Sequence, residues 1–390
     1  MKTASSMARL GTETAFEVLV RAKELEAQGR NVIHLEIGEP DFDTPVNIRE
    51  AAKAALDEGY THYGPSAGLP ILRQAIAEEI TRTRGVGVGP DNVVVTPGGK
   101  PIIFFSLLAC VDPGDEVIYP NPGFPIYESV INWMGARAVP LPIREENNFN
   151  VDIDELAALI TPRTTFMILN SPGNPTGGLI TRDKMARIAE LVAEHNITVL
   201  ADEIYSRIIY DGEHVSLLSF PEMKERLILL DGFSKTYAMT GWRAGYGVMP
   251  EDLAFWVARL MTNSNSCTNS FVQMACVEAL KGPQAEARSM VAEFRRRREV
   301  IVEGLNAIEG ITCRRPKGAF YVLPNVQALP RSSKEMEEYF LEEYGVATLS
   351  GTSFGAYGEG YLRLSYANSV ENVREALARI AEGVKKLLGK

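Results

Sequence analysis

Lys235 and Arg243 lie in the stretch Ser234-Lys235-Thr236-Tyr237-Ala238-Met239-Thr240-Gly241-Trp242-Arg243, directly behind an apolar run over 227–230. The run reads as a buried strand and the small and polar residues after it as a turn, so Ser234 and Lys235 sit just past the strand's end. An amine held there against apolar surface and a nearby guanidinium binds its proton less tightly and becomes a nucleophile toward a carbonyl. A solvated loop lysine is the ordinary alternative, because the chain holds 40 Lys plus Arg and most such side chains face water.

The same arrangement recurs upstream. An apolar run over 93–96 leads into Pro97-Gly98-Gly99-Lys100, and one over 116–119 into Asn121-Pro122-Gly123-Phe124. The run over 165–170 leads into Ser171-Pro172-Gly173-Asn174-Pro175-Thr176-Gly177, and 197–201 into Asp202-Glu203-Ile204-Tyr205. Gly98-Gly99-Lys100 at a helix start frees backbone N–H groups for an anion, and Ser234 with Arg243 can complete a phosphate cage. A plain tight turn explains the glycine pair equally well.

Asp202, ending an apolar strand, needs a cation such as a protonated ring nitrogen, or else caps a helix near Glu203. Phe124 offers a stacking face or ordinary core. Asn174 and Tyr205 can donate to a ring oxygen, although Asn174-Pro175-Thr176-Gly177 also satisfies turn chemistry.

The elements that must position these residues alternate. Strands over 93–96, 116–119, 138–141, 165–170, 197–201 and 227–230 are separated by helices over 101–111, 125–134, 153–160 and 182–196. That alternation predicts an α/β fold with a mostly parallel sheet covered by helices on both faces, whose strand ends share one ligand-binding edge. Before it come an amphipathic segment over 13–28, an extended piece over 31–37 ending in Gly38-Glu39-Pro40-Asp41-Phe42, and helices over 46–58 and 69–83. Gly85-Val86-Gly87-Val88-Gly89-Pro90 follows a helix and precedes a strand, the wrong context for a dinucleotide loop, and reads as a turn.

After a long helix over 285–306 the character becomes mixed, with strands over 319–323 and 361–366 and helices over 333–343 and 370–388. We expect an N-terminal arm over 1–45 that joins the smaller part, a large domain over 46–284, and a small α+β domain over 285–390.

Composition excludes several function classes. The formal charge of -10 argues against nucleic acid as a partner, and the basic run over 295–298 falls in a helical pattern that reads as a solvated face. The four cysteines show no paired spacing and no histidines at ligand spacing, so neither a metal site nor a disulfide framework is expected. A reduced, cytoplasmic setting fits. The N-terminus lacks the apolar core of a signal peptide, and the longest apolar run, 102–111, is too short for a membrane span.

Assembled, these residues resemble the fold-type I pyridoxal-phosphate enzymes, specifically class I/II aminotransferases related to aspartate aminotransferase. The likeness runs from Gly38-Glu39-Pro40-Asp41-Phe42 to the last strand, and its most specific piece spans 234–243. It implies that Lys235 carries pyridoxal 5'-phosphate as an internal aldimine, that Asp202 keeps the ring nitrogen protonated, and that Asn174 and Tyr205 bond the ring's 3-oxygen. It assigns the phosphate to Gly98, Gly99 and Lys100 backbone, Ser234 and Arg243, with Phe124 stacked on the ring.

Tyr63, in Tyr63-Gly64-Pro65-Ser66, matches a tyrosine that in the family reaches the partner subunit's cofactor, implying a homodimer with shared sites. Arg363, which alternation in 361–366 sets opposite Leu362 and Leu364, would otherwise be an exposed strand arginine. The resemblance makes it the clamp on the substrate α-carboxylate, helped by Asn174 and the Gly38 backbone.

The implied reaction is ping-pong transamination between an L-α-amino acid and a 2-oxo acid. Dicarboxylate-specific relatives carry a basic residue for the second carboxylate. The place counted for it in the helix after Gly99 holds Leu108, and Asn263-Ser264-Asn265-Ser266 also lacks one, so an aspartate-like, neutral, aromatic or amphoteric side chain stays open. A lyase, decarboxylase or cyclising enzyme on the same scaffold would share the cofactor residues. A P-loop protein is disfavoured, since Pro101 follows Lys100 and Ser234 precedes Lys235.

Overall fold

The computed structural model describes residues 1–390. A two-residue strand, β1 (Ile33–His34), precedes the main sheet. That sheet is made of β2 (Val93–Thr96), β3 (Glu116–Asn121), β4 (Arg137–Pro142), β5 (Thr164–Asn170), β6 (Thr198–Asp202), β7 (Leu227–Gly232) and β8 (Gly245–Val248). Its order is β2-β8-β7-β6-β5-β3-β4.

Neighbours from β7 to β4 are parallel, while β8 is antiparallel to both β7 and β2. Two reversals leave β2 parallel to the rest. The C-terminal ends of β2, β3, β5, β6 and β7 therefore share one edge, as the alternation predicts.

The central strands are buried on both faces. Alternate residues enter two separate cores: Val93, Val95, Met167, Val199 and Leu229 on one side, Val94, Phe166, Ile168, Leu200 and Ile228 on the other. A two-residue period feeding two apolar layers requires near-continuous hydrophobic strands, which is why these segments were conspicuous in the sequence.

Two helices went unassigned in the sequence, Glu251–Ser264 and Ser270–Lys281. Pro250 followed by the acidic first turn Glu251-Asp252 was a usable start signal for the former. The turn over 85–90 is present: Gly85, at φ +70°, ends the helix Pro70–Arg84 in the left-handed conformation.

Four further strands, β9 (Tyr321–Val322), β10 (Val346–Ala347), β11 (Leu349–Ser350) and β12 (Leu362–Ser365), lie beyond the long helix Ala285–Asn306. They form an antiparallel β11-β12-β9 sheet and a parallel β1-β10 pair, Ile33 opposite Val346. The Ser365 N–H also donates to Leu35 O at 2.7 Å, so the N-terminal segment is stitched to the C-terminal part. The strands foreseen over 319–323 and 361–366 are shorter than expected, and β12 is buried on both faces. No helix is long and apolar enough to cross a membrane.

Candidate active site

The ends of β5, β6 and β7, the turn after β2, the segment around Gly38, β12 and the start of helix Thr14–Ala27 surround one cavity of about 460 Å³. Its volume suits a pyridine ring bearing a phosphate together with an amino acid.

Lys235 projects into it just past β7. Its Nζ donates to the Gly38 carbonyl at 2.5 Å and stands 5.9 Å from the Phe320 ring centroid. Burial brings the ammonium pKa down to about 8; Glu39 opposes this, and Arg363, Arg243 and Lys100 add to it. An appreciable fraction is thus free amine near neutral pH, as required of a nucleophile or proton carrier. Gly38 must be glycine, because a Cβ there would sit 2.1 Å from the Tyr321 hydroxyl oxygen.

Asp202 lies at the end of β6, 5% exposed. It accepts from Tyr127 Oη at 2.6 Å and from the Ile204 N–H at 3.1 Å. Burial nevertheless pushes its carboxyl up to about 6, outweighing both donors. No cation of the chain pairs with it, so a protonated ring nitrogen in the cavity would supply the missing charge. Tyr205 Oη meets Tyr321 Oη at 2.7 Å, and both hydroxyls border the same space.

At the other end, Gly99 precedes helix Lys100–Cys110 and Arg243 faces its start. Gly98 has φ +90°, and a Cβ on it would lie 2.2 Å from Arg243 Nη2. Arg243 itself adopts φ +56°, a costly conformation for a non-glycine residue, and its Nη1 donates to Thr240 O at 2.7 Å. Backbone N–H groups, the helix dipole, Ser234 and a constrained guanidinium make an anion cradle into which a phosphate fits.

Arg363 is not an exposed strand residue; it is 4% exposed, because the second face of β12 packs against the cavity wall. Its guanidinium lies between the Tyr321 and Phe354 rings, at 4.6 and 4.9 Å, and donates to Glu36 O and, at 3.4 Å, to Asn174 Oδ1. Its Nε has no partner. Burial lowers its pKa from the usual value, with Tyr321, Tyr205, Glu36 and Glu13 opposing. A buried guanidinium with an unused donor is a receptor for a carboxylate.

Phe124 lines the cavity edge-on to Tyr127, with centroids 5.7 Å apart. Tyr63 does not join this group; it is 89% exposed. Leu108 is also outside, because eight residues along a helix is about 12 Å from its first turn, and it is 42% exposed. Its lack of charge therefore says nothing about the substrate. Asn263 to Ser266 are exposed and outside as well.

Residues that the sequence reading missed are Tyr127, Asn170, Tyr321, Glu13 and Phe16. The last two lie just before and in the first turn of helix Thr14–Ala27, whose amphipathic pattern carried no hint of a site. Lys100 contributes more than its backbone, since its Nζ pairs with Glu13 inside the cavity.

Known proteins similar to this chain are named as aminotransferases. The family model described as aminotransferase class I and II matches residues 30–380. An aspartate aminotransferase of Pyrococcus horikoshii is 41% identical over 95% of this chain and 94% of its own length. An aromatic-amino-acid aminotransferase of Thermococcus litoralis is 39% identical over 92% and 94%. The structure of an aspartate aminotransferase from Thermus thermophilus with maleate superposes with a TM-score of 0.93 at 38% identity, covering 98% of this chain and all of that one (100%). The chain belongs to the aminotransferase class I and II family and is a pyridoxal-phosphate-dependent transaminase, moving an amino group between an amino acid and a 2-oxo acid.

Proposed function

We propose that Lys235 is the cofactor-bearing and proton-transferring residue, that Arg363 clamps the substrate α-carboxylate, and that Asp202 holds the charge of the cofactor ring. The carrying observation is the lowered pKa of Lys235, about 8, in the same cavity as the unpartnered Arg363 Nε. When bound, pyridoxal phosphate supplies an electron sink that makes the substrate Cα–H acidic.

Arg363, with Asn174 beside it, grips the carboxylate and turns Cα toward Lys235. Lys235 Nζ would take the proton from the substrate Cα and carry it as the ammonium, while water supplies the carbonyl oxygen of the departing 2-oxo acid as its C–N bond breaks and the amino group is retained by the cofactor. A second 2-oxo acid then takes up the amino group by the reverse sequence. Asp202, steadied by Tyr127 Oη, would supply the negative charge that holds the ring nitrogen's proton. With the cofactor bound, Tyr205 and Asn174 would hold the ring oxygen, Phe124 would pack on the ring, and Gly98, Gly99, Lys100 N–H, Ser234 and Arg243 would hold the phosphate.

Relatives are named for aspartate and for aromatic amino acids, and we take the donor to be aspartate-like, neutral or aromatic. The exposure of Tyr63, with Phe255 and Trp256 also bare, supports a homodimer in which Tyr63 reaches the partner's site. A cytoplasmic enzyme is in keeping with the free cysteines. The β9 to β12 region has a core of its own beside those of the main sheet, which supports a smaller C-terminal unit within a division into 1–45, 46–284 and 285–390, with Tyr205, Ile208 and Tyr210 reaching into that core and Ala287, Met290 and Leu323 into that of the main sheet.

Borohydride treatment of the holoenzyme should leave the cofactor's mass on the peptide carrying Lys235; finding it on another lysine refutes the assignment. A donor panel against pyruvate and 2-oxoglutarate should yield stoichiometric amino-acid product.

A further inference from the structure

We propose that Glu13 sets the side-chain selectivity of the site: by engaging the Lys100 ammonium it disfavours donors with a second carboxylate and favours neutral aromatic ones. The inference rests on the assignment of Arg363 to the α-carboxylate and of Arg243 to the phosphate.

Four cations line the cavity, Lys100, Lys235, Arg243 and Arg363. With the guanidinium groups committed and Lys235 taken up by the cofactor and the proton, Lys100 is the one remaining cation that this chain offers a second substrate carboxylate. That ammonium is already paired with Glu13, which sits immediately before helix Thr14–Ala27 and directs its side chain into the cavity. The Glu13 side chain is 16% exposed and that of Lys100 is 42%, so the acid is the better buried of the two.

A dicarboxylate entering here meets a like charge before it meets a free cation, which is selection by repulsion. The same wall is aromatic: Lys100 Nζ lies 5.9 Å from the Phe16 ring centroid and 5.6 Å from that of Phe124. Phe16 is 56% exposed and lines the cavity, so its ring is free to pack on an aromatic side chain without disturbing the pair.

The experiment measures two dead-end ligands on the holoenzyme by calorimetry, maleate as the dicarboxylate and 3-phenylpropionate as the neutral aromatic, beside kcat/KM for aspartate and phenylalanine. In Glu13→Gln, the preference for maleate over 3-phenylpropionate should rise about fivefold or more, the scale of one charge interaction at a partly hydrated site. The aspartate to phenylalanine ratio should move in the same direction. Adding Lys100→Met should abolish the gain.

A smaller change, or a gain that survives loss of Lys100, overturns the proposal. If Glu13→Gln does not fold, the wild type decides: 3-phenylpropionate should bind more tightly than maleate, and the reverse order overturns it. Wild-type holoenzyme inert toward every donor would instead refute the catalytic assignments, a result the binding arm does not share.

Discussion

Asp202 and Glu203 are consecutive and both buried, yet their surroundings push them in opposite directions. Glu203 turns to the far side of the sheet. There Arg84 Nη2 lies 2.8 Å away, His214 Nε2 2.9 Å away, and Ser216 Oγ donates to it. Burial works to raise its carboxyl, but Arg84 and His214 outweigh it and hold the pKa near 2. Asp202 faces the cavity with hydroxyl and N–H donors but no cation, and burial brings it to about 6.

A complete set of partners marks Glu203 as part of the scaffold. Asp202 lacks a cation, in keeping with our proposal that the cofactor supplies it.

The contrast can be tested from its largest consequence downward. Lys235→Ala should lower turnover at least about a thousandfold while cofactor still binds, because the proposed proton carrier would be gone while the anion cradle remains. Single-turnover absorbance with an amino-acid donor measures this; near-normal rates would remove Lys235 from the mechanism. Glu203→Gln should destabilise the protein by roughly 3 kcal/mol in urea unfolding, since Arg84 would stay buried without its main partner.

Arg363→Leu should reduce kcat/KM about a hundredfold, mostly through KM, with cofactor affinity little changed. Equal losses of substrate and cofactor binding would make Arg363 structural.

Asp202→Asn should do the reverse of Glu203→Gln. The folded-state pKa of Asp202 is raised, so its contribution is fully present below its unfolded value near 3.8 and is lost as pH rises through about 6. At pH 8 the cofactor-free Asn variant should therefore be more stable than wild type by about 2 kcal/mol, with the gain gone at pH 4. Cofactor binding should weaken in the same variant. For Glu203 the sign is opposite: the contribution is present above about 4.5 and lost as pH falls toward 2. A destabilised Asp202→Asn chain at pH 8 would erase the distinction between the two carboxylates.

Much of this was legible along the chain because it is local. A strand buried on both faces must be an unbroken apolar run, and the residue after it lies at the sheet edge, so Lys235, Asp202 and Asn174 could be picked out together with their edge. Gly98 carries its own conformational signal, φ +90°, in a turn that only glycine enters easily.

What the sequence could not decide is which distant segments close the cavity. The meeting of Glu13 with Lys100, of Tyr127 with Asp202, of Tyr321 with Gly38, and of Arg363 with Glu36 joins segments tens to hundreds of residues apart. No periodicity encodes such a meeting. Alternation by itself set Arg363 on an outer face, and only the packing of β12 against the rest of the molecule turned that face inward.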